Sequence, residues 1–130
     1  NEDISPSTDT EAICAAAAKM SRVVGAKALA TYTFNGNTAA TMSKYRPGSP
    51  IIALTPNEAT ARKLAVFWGV NRVIVGNDIS LNDIENDAAK FVKTEKIANS
   101  GDKIIIAAGE AISHVVGKET ANLLSLKTLD

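Results

Sequence analysis

The sequence predicts an α/β fold in which a mostly parallel sheet is covered by helices on both faces. Three observations carry this expectation. Short, continuous apolar runs recur at residues 28–33, 51–54, 73–75 and 103–108, as strands buried on both faces require. Between them lie longer segments with helical apolar spacing and recognisable caps. Alanine, valine and isoleucine dominate the apolar content, while aromatic residues make up only 5%. That is the composition expected where short strands pack against close helices.

The elements follow in order. Thr8 is expected to cap the first helix, with Glu11 three residues on completing a capping box. Ile13, Ala17, Met20 and Val24 recur at helical spacing, and Gly25 closes the element. Residues 28–33 read as a strand, followed by a short helix from about Asn37 to Ser43 or Lys44. Arg46-Pro47 stops that helix, because the residue before proline is pushed out of the helical region.

Residues 51–54 are the clearest buried strand. Thr55-Pro56-Asn57-Glu58 then offers a cap at Thr55, proline at the first helical position and a glutamate to complete the box. Ala61, Leu64, Ala65 and Trp68 form the expected inward stripe, and Gly69 ends the helix. Val73-Ile74-Val75 is a short third strand. Ser80 caps a helix whose apolar positions are Leu81, Ile84, Ala88, Phe91 and Val92. Gly101-Asp102 turns the chain into a fourth strand at 103–108, which ends at Gly109. A loop follows to about Asn122, and residues 123–129 read as a last strand. With no helix before it, that strand is expected antiparallel at an edge.

At 130 residues the chain fits one domain, expected over 10–130, with residues 1–9 as a linker or disordered segment. The sequence lacks a starting methionine and reads as a piece of a longer protein. Fourteen basic and fourteen acidic residues balance, so no net field favours nucleic acid or an anionic membrane. Scarce aromatics also argue against base stacking. No run approaches the roughly 20 apolar residues of a membrane span, and the N-terminal residues resemble no signal or transit peptide. Cys14 is the lone cysteine and reads as a small buried apolar residue; with no internal disulfide possible, a reducing compartment is expected.

No catalytic constellation is visible: there is no paired histidine and cysteine, no metal-ligand spacing, and no Walker, GxGxxG or GxSxG pattern. The candidate site is instead the turn Thr33-Phe34-Asn35-Gly36-Asn37-Thr38. A strand feeding a polar, glycine-containing turn directly into a helix presents free N–H groups at the positive end of the helix dipole, which suits an anion such as phosphate. Thr33 and Thr38 offer hydroxyls, Asn35 an amide, and Gly36 permits a positive φ and close approach. An ordinary strand-to-helix connection with a capping threonine is the alternative. The loop containing His114, Gly117, Lys118 and Thr120 could close over the same ligand, or remain a solvated surface loop. Trp68 reads as a core or interface anchor, and Arg62 and Lys63 as a solvated helix face.

The residues Ser43-Lys44-Tyr45-Arg46-Pro47, Pro50-Ile51-Ile52-Ala53-Leu54-Thr55, Asn57-Glu58, Thr60-Ala61-Arg62 and Trp68-Gly69-Val70 resemble the carboxyl-terminal domain of pyruvate kinase. Gly101-Asp102 before Ile104-Ile105-Ile106, and Ala108-Gly109 after it, continue the match in order. The resemblance covers about residues 10–129. It implies a three-layer α/β/α domain with a five-stranded mixed sheet, its last strand antiparallel. It also implies a homotetrameric, cytoplasmic parent that transfers phosphoryl from phosphoenolpyruvate to ADP in glycolysis. That chemistry, with its magnesium and potassium, belongs to a separate barrel domain absent from this chain, so this domain is expected to carry no catalytic residue, cofactor or metal.

In the family this domain contributes a subunit interface and in many members binds an allosteric sugar phosphate or nucleotide. The resemblance places the effector phosphate at Thr33, Asn35, Gly36, Asn37 and Thr38, and the effector loop around His114, Gly117, Lys118 and Thr120, with Asn122 matching a Thr-Asn segment beyond it. Asn35 stands in place of the family's usual serine, Phe34 in place of a commonly polar residue, and Asn37 where many members carry a basic or small one. The tryptophan and arginine that hold the second phosphate of fructose 1,6-bisphosphate in some members have no evident match in residues 77–89. The implied partners are thus the missing barrel domain, a second copy of this domain and a phosphate-bearing effector. A purely structural interface domain, or a stand-alone phosphate-binding protein of the same fold, remains the alternative.

Overall fold

The computed structural model describes residues 9–67, 69–76, 80–108 and 123–130. In chain order the elements are α1 (Asp9–Val24), β1 (Ala28–Tyr32), α2 (Asn37–Lys44), β2 (Ile51–Thr55), α3 (Glu58–Leu64), β3 (Val70–Ile74), α4 (Leu81–Thr94), β4 (Lys103–Ala108) and β5 (Leu123–Thr128). The five strands form one sheet in the order β3-β2-β1-β4-β5. β1, β2, β3 and β4 run parallel, and β5 joins β4 antiparallel at the edge, with Ile106 opposite Ser125.

The sheet separates two cores. On one face Ala28, Ala30, Tyr32, Ile52, Leu54, Ile104 and Ile106 pack against Ile84, Ala88 and Val92 of α4. On the other, Leu29, Ile51, Ala53, Ile105 and Ala107 meet Cys14 and Ala17 of α1, Ala39 and Met42 of α2, and Leu64 of α3. The alternation of Ile104, Ile105 and Ile106 between cores shows why the run is continuously apolar: in a covered parallel sheet both faces are inside. The result is the three-layer α/β/α arrangement with a mixed five-stranded sheet that the sequence led us to expect. α1 begins at Asp9, and its expected cap Thr8 lies outside the described residues.

Three boundaries differ from the sequence expectation. β3 starts at Val70 rather than Val73, because Ile51 to Thr55 of β2 pair with Val70 to Ile74 in register. As an edge strand it tolerates exposed Arg72 and Ile74, which hides it from an apolar search. Thr55 is not the cap of α3: its carbonyl still accepts the Val75 N–H at 3.0 Å, so it belongs to the sheet ladder. Asn57 caps instead, its Oδ1 accepting the N–H groups of Ala59 at 2.9 Å and Thr60 at 3.4 Å. α3 then ends at Leu64, with Thr60 and Leu64 buried and Ala65 exposed, so the stripe is shorter than expected. Trp68 lies outside the described residues.

Ser80 caps α4 in a reciprocal box with Asp83. α2 ends at Lys44, before Arg46-Pro47. Arg46 adopts a left-handed φ of +48°, rather than the extended geometry usual before proline. Its carbonyl accepts the Arg22 guanidinium at 3.0 Å, and Arg22 also reaches the Tyr45 carbonyl at 3.4 Å. Arg22 thereby holds the bend between α2 and β2.

Candidate functional site

The turn between β1 and α2 is closed by its own side chains. Thr33 is fully buried, and its Oγ1 accepts the Gly36 N–H at 2.9 Å. Asn35 is exposed, and its Oδ1 accepts the Asn37 N–H at 3.0 Å. Gly36 is the N-cap of α2 with φ +93°, a conformation that L side chains rarely adopt. A Cβ at Gly36 would also meet Thr60 Cγ2 at 3.4 Å and Leu64 Cδ2 at 3.7 Å. Glycine is therefore favoured here by its conformation, while a Cβ would make ordinary van der Waals contact with α3.

Of the four N–H groups that a helix start leaves without intrahelical partners, those of Gly36 and Asn37 are thus engaged. Those of Thr38 and Ala39 receive no side-chain cap among the described residues. The first turn of α2 contains no acidic residue, in contrast to Glu58 in α3 and Asp83 in α4. No carboxylate of α2's own first turn therefore competes for the positive end of this helix. Thr38 is 4% exposed, and its carbonyl accepts the Cys14 Sγ–H at 3.7 Å, tying α1 to the first turn of α2. Burial pushes the Cys14 thiol up to about 11, with the Glu11 carboxylate adding to the rise and Lys44 opposing it.

α3 supplies groups that the sequence reading left outside the site. The Thr60 hydroxyl donates to the Phe34 carbonyl at 2.9 Å, and Lys63 Nζ donates to the Asn35 carbonyl at 3.3 Å. Lys63 therefore does more than solvate a helix face: it brings an ammonium to the turn. Its spacing from Asn57 and Thr60 along α3 was available in the sequence, but nothing there placed α3 over the turn. Beside this region a shallow, open hollow of about 260 Å³ is lined by Asn37, Ala40, Thr41, Lys44 and Phe67.

The structure thus brings Thr33, Asn35, Gly36, Asn37 and Thr38 together at one helix start. His114, Gly117, Lys118, Thr120 and Asn122 lie outside the described residues. Among the described residues no group of three or more His, Cys, Asp or Glu side chains could hold a metal ion. No helix among them is long and apolar enough to cross a membrane.

The profile of the family described as "Pyruvate kinase, alpha/beta domain" matches residues 11–126. The chain belongs to this family. Among curated relatives, the pyruvate kinase of Staphylococcus haemolyticus is 46% identical over 101 residues, which are 77% of this chain and 17% of that protein. That of Methylorubrum extorquens is 35% identical over 102 residues, 78% of this chain and 21% of the relative. Among solved structures, Cryptosporidium parvum pyruvate kinase in complex with ADP superposes with a TM-score of 0.85 at 32% identity, over 98% of this chain and 25% of that one. This pyruvate kinase alpha/beta domain thus spans about a fifth of the length of the curated relatives it matches.

Proposed function

We propose that this pyruvate kinase alpha/beta domain is the regulatory and oligomerisation part of a cytoplasmic, homotetrameric enzyme that transfers phosphoryl from phosphoenolpyruvate to ADP, and that its α2 start binds the phosphate of an effector. In this reading the catalytic site and its metal ions belong to a barrel domain outside this chain. The observation that carries the effector reading is the start of α2: uncapped N–H groups at Thr38 and Ala39, no acid in the first turn, and the Lys63 ammonium at the Asn35 carbonyl. Backbone donors and a helix dipole favour an anion there, and Lys63 adds a full positive charge. A sugar phosphate or a nucleotide meets that description. Self-association fits β5, whose outer edge pairs with no strand among the described residues and whose Leu126 is 45% exposed.

Titration with inorganic phosphate and with fructose 1,6-bisphosphate, followed by backbone NMR, tests the site. The amides of Gly36, Asn37, Thr38 and Ala39 are expected to shift at millimolar ligand, and Lys63→Gln to weaken the response several-fold. Unmoved amides at that concentration would overturn the effector reading.

A second reading is favoured by the closed turn itself. The Thr33 hydroxyl and the Asn35 amide oxygen are already spent on Gly36 and Asn37, as in a domain that only packs subunits. Thr38→Glu in the full-length enzyme separates the two: loss of effector activation supports the first reading, and unchanged kinetics supports the second.

A further inference from the structure

We propose that Asn35 is a site of spontaneous deamidation, and that its product sets a carboxylate on the start of α2. Asn35-Gly36 is the only Asn-Gly pair in the sequence. Glycine leaves its own amide nitrogen unhindered, so the Gly36 nitrogen can attack the Asn35 side-chain carbonyl carbon.

The turn geometry acts on this reaction in three ways. Asn35 is exposed, so water reaches its side-chain carbonyl, whereas Gly36 is buried, so its N–H meets hydroxide only when the turn opens. Its Oδ1 already accepts the Asn37 N–H at 3.0 Å at the positive end of α2, and negative charge building on that oxygen during attack is stabilised in place. Against these, the Gly36 N–H is held by Thr33 Oγ1 at 2.9 Å, which retains the proton that must leave and so acts as a brake.

The chemistry balances without an oxidant or reductant. Hydroxide removes the Gly36 amide proton, the nitrogen bonds to Asn35 Cγ, and the bond from Cγ to the side-chain nitrogen breaks. Ammonia departs with a proton from solvent and leaves a five-membered succinimide. Water then opens the ring at either carbonyl, giving aspartate or isoaspartate; one water is consumed and one ammonia released.

An aspartate formed there presents its carboxylate to the Asn37 N–H, where the amide oxygen now sits, and gives the α2 start the acidic group it lacks. That charge opposes a bound phosphate. This consequence rests on the effector reading above, whereas the deamidation does not.

The test is to incubate the purified chain at about pH 8.5 and about 37 °C, digest it with trypsin and sequence the peptide spanning residues 28–44 by mass spectrometry. That peptide contains both Asn35 and Asn37, so Asn37 is an internal control. A mass gain of about one dalton is expected at Asn35, growing several-fold faster than at Asn37, and Thr33→Val is expected to speed it further by releasing the brake. Equal rates at the two asparagines, or no gain at Asn35 where the same synthetic peptide converts, would overturn the proposal. Phosphate titration of Asn35→Asp tests the consequence separately. Amide shifts in the parent chain that weaken several-fold in the variant support it, and shifts of equal size in both overturn it. Should the parent chain itself show no shifts, the effector reading and the consequence drawn from it fall, while the deamidation result stands.

Discussion

Thr60 in α3 donates its hydroxyl to the carbonyl of Phe34, 26 residues earlier in the chain, at 2.9 Å. This long-range bond fixes α3 over the turn that opens α2. Replacing it with Thr60→Val is expected to lower stability by about 1 kcal/mol in chemical denaturation, the usual net worth of such a bond. Amide exchange at residues 35–37 should also accelerate. Exchange unchanged from the parent would show that the turn holds itself closed without α3.

The cap of α3 gives a second prediction. Asn57→Ala removes the acceptor for Ala59 and Thr60 and is expected to lower stability by about 1 kcal/mol. Glu58→Ala, which leaves the cap intact, should stay within about 0.5 kcal/mol. Equal losses in the two variants would contradict the assignment of the cap to Asn57.

Cys14 predicts a pH dependence. Its folded thiol is pushed up from an ordinary 9.0 to about 11. Between those values the folded chain holds a proton that the unfolded chain has released, so stability is complete below about pH 9 and declines as pH rises toward about 11. The loss is on the order of 2–3 kcal/mol. Thermal melts of the parent and Cys14→Ala across this window should converge in slope only if another group dominates; the parent is expected to fall more steeply.

Arg22 supplies a fourth. Arg22→Ala withdraws the donor from the Tyr45 and Arg46 carbonyls and is expected to destabilise by about 1 kcal/mol. Arg46→Gly should regain a similar amount, about 1 kcal/mol, because glycine adopts a φ of +48° without penalty. Denaturation of the two single variants and the double variant measures both effects and their coupling.

Most of the framework was legible in the sequence because a buried parallel sheet imposes continuous apolar runs. β1, β2 and β4 announced themselves this way, and Ser80 marked the start of α4. β3 was misplaced because an edge strand needs fewer apolar residues, and only its pairing with β2 reveals Val70 as its start. The cap of α3 moved from Thr55 to Asn57 because local pattern cannot show that Thr55 is still engaged by Val75. At the candidate site the turn was visible as Thr33-Phe34-Asn35-Gly36-Asn37-Thr38, since glycine at a helix start has a local cause. Lys63 and Thr60 were not, because their approach depends on how α3 lies across the sheet edge.

One feature of the helical layer reaches beyond local stability. α1 grips α2 at both extremities, through Cys14 at the Thr38 carbonyl and through Arg22 at the carbonyls of Tyr45 and Arg46. With eight residues, α2 is a strut about 12 Å long clamped at each end. The same helix, α1, therefore meets α2 at its first turn and again at the left-handed elbow of Arg46, where the chain turns into the central sheet.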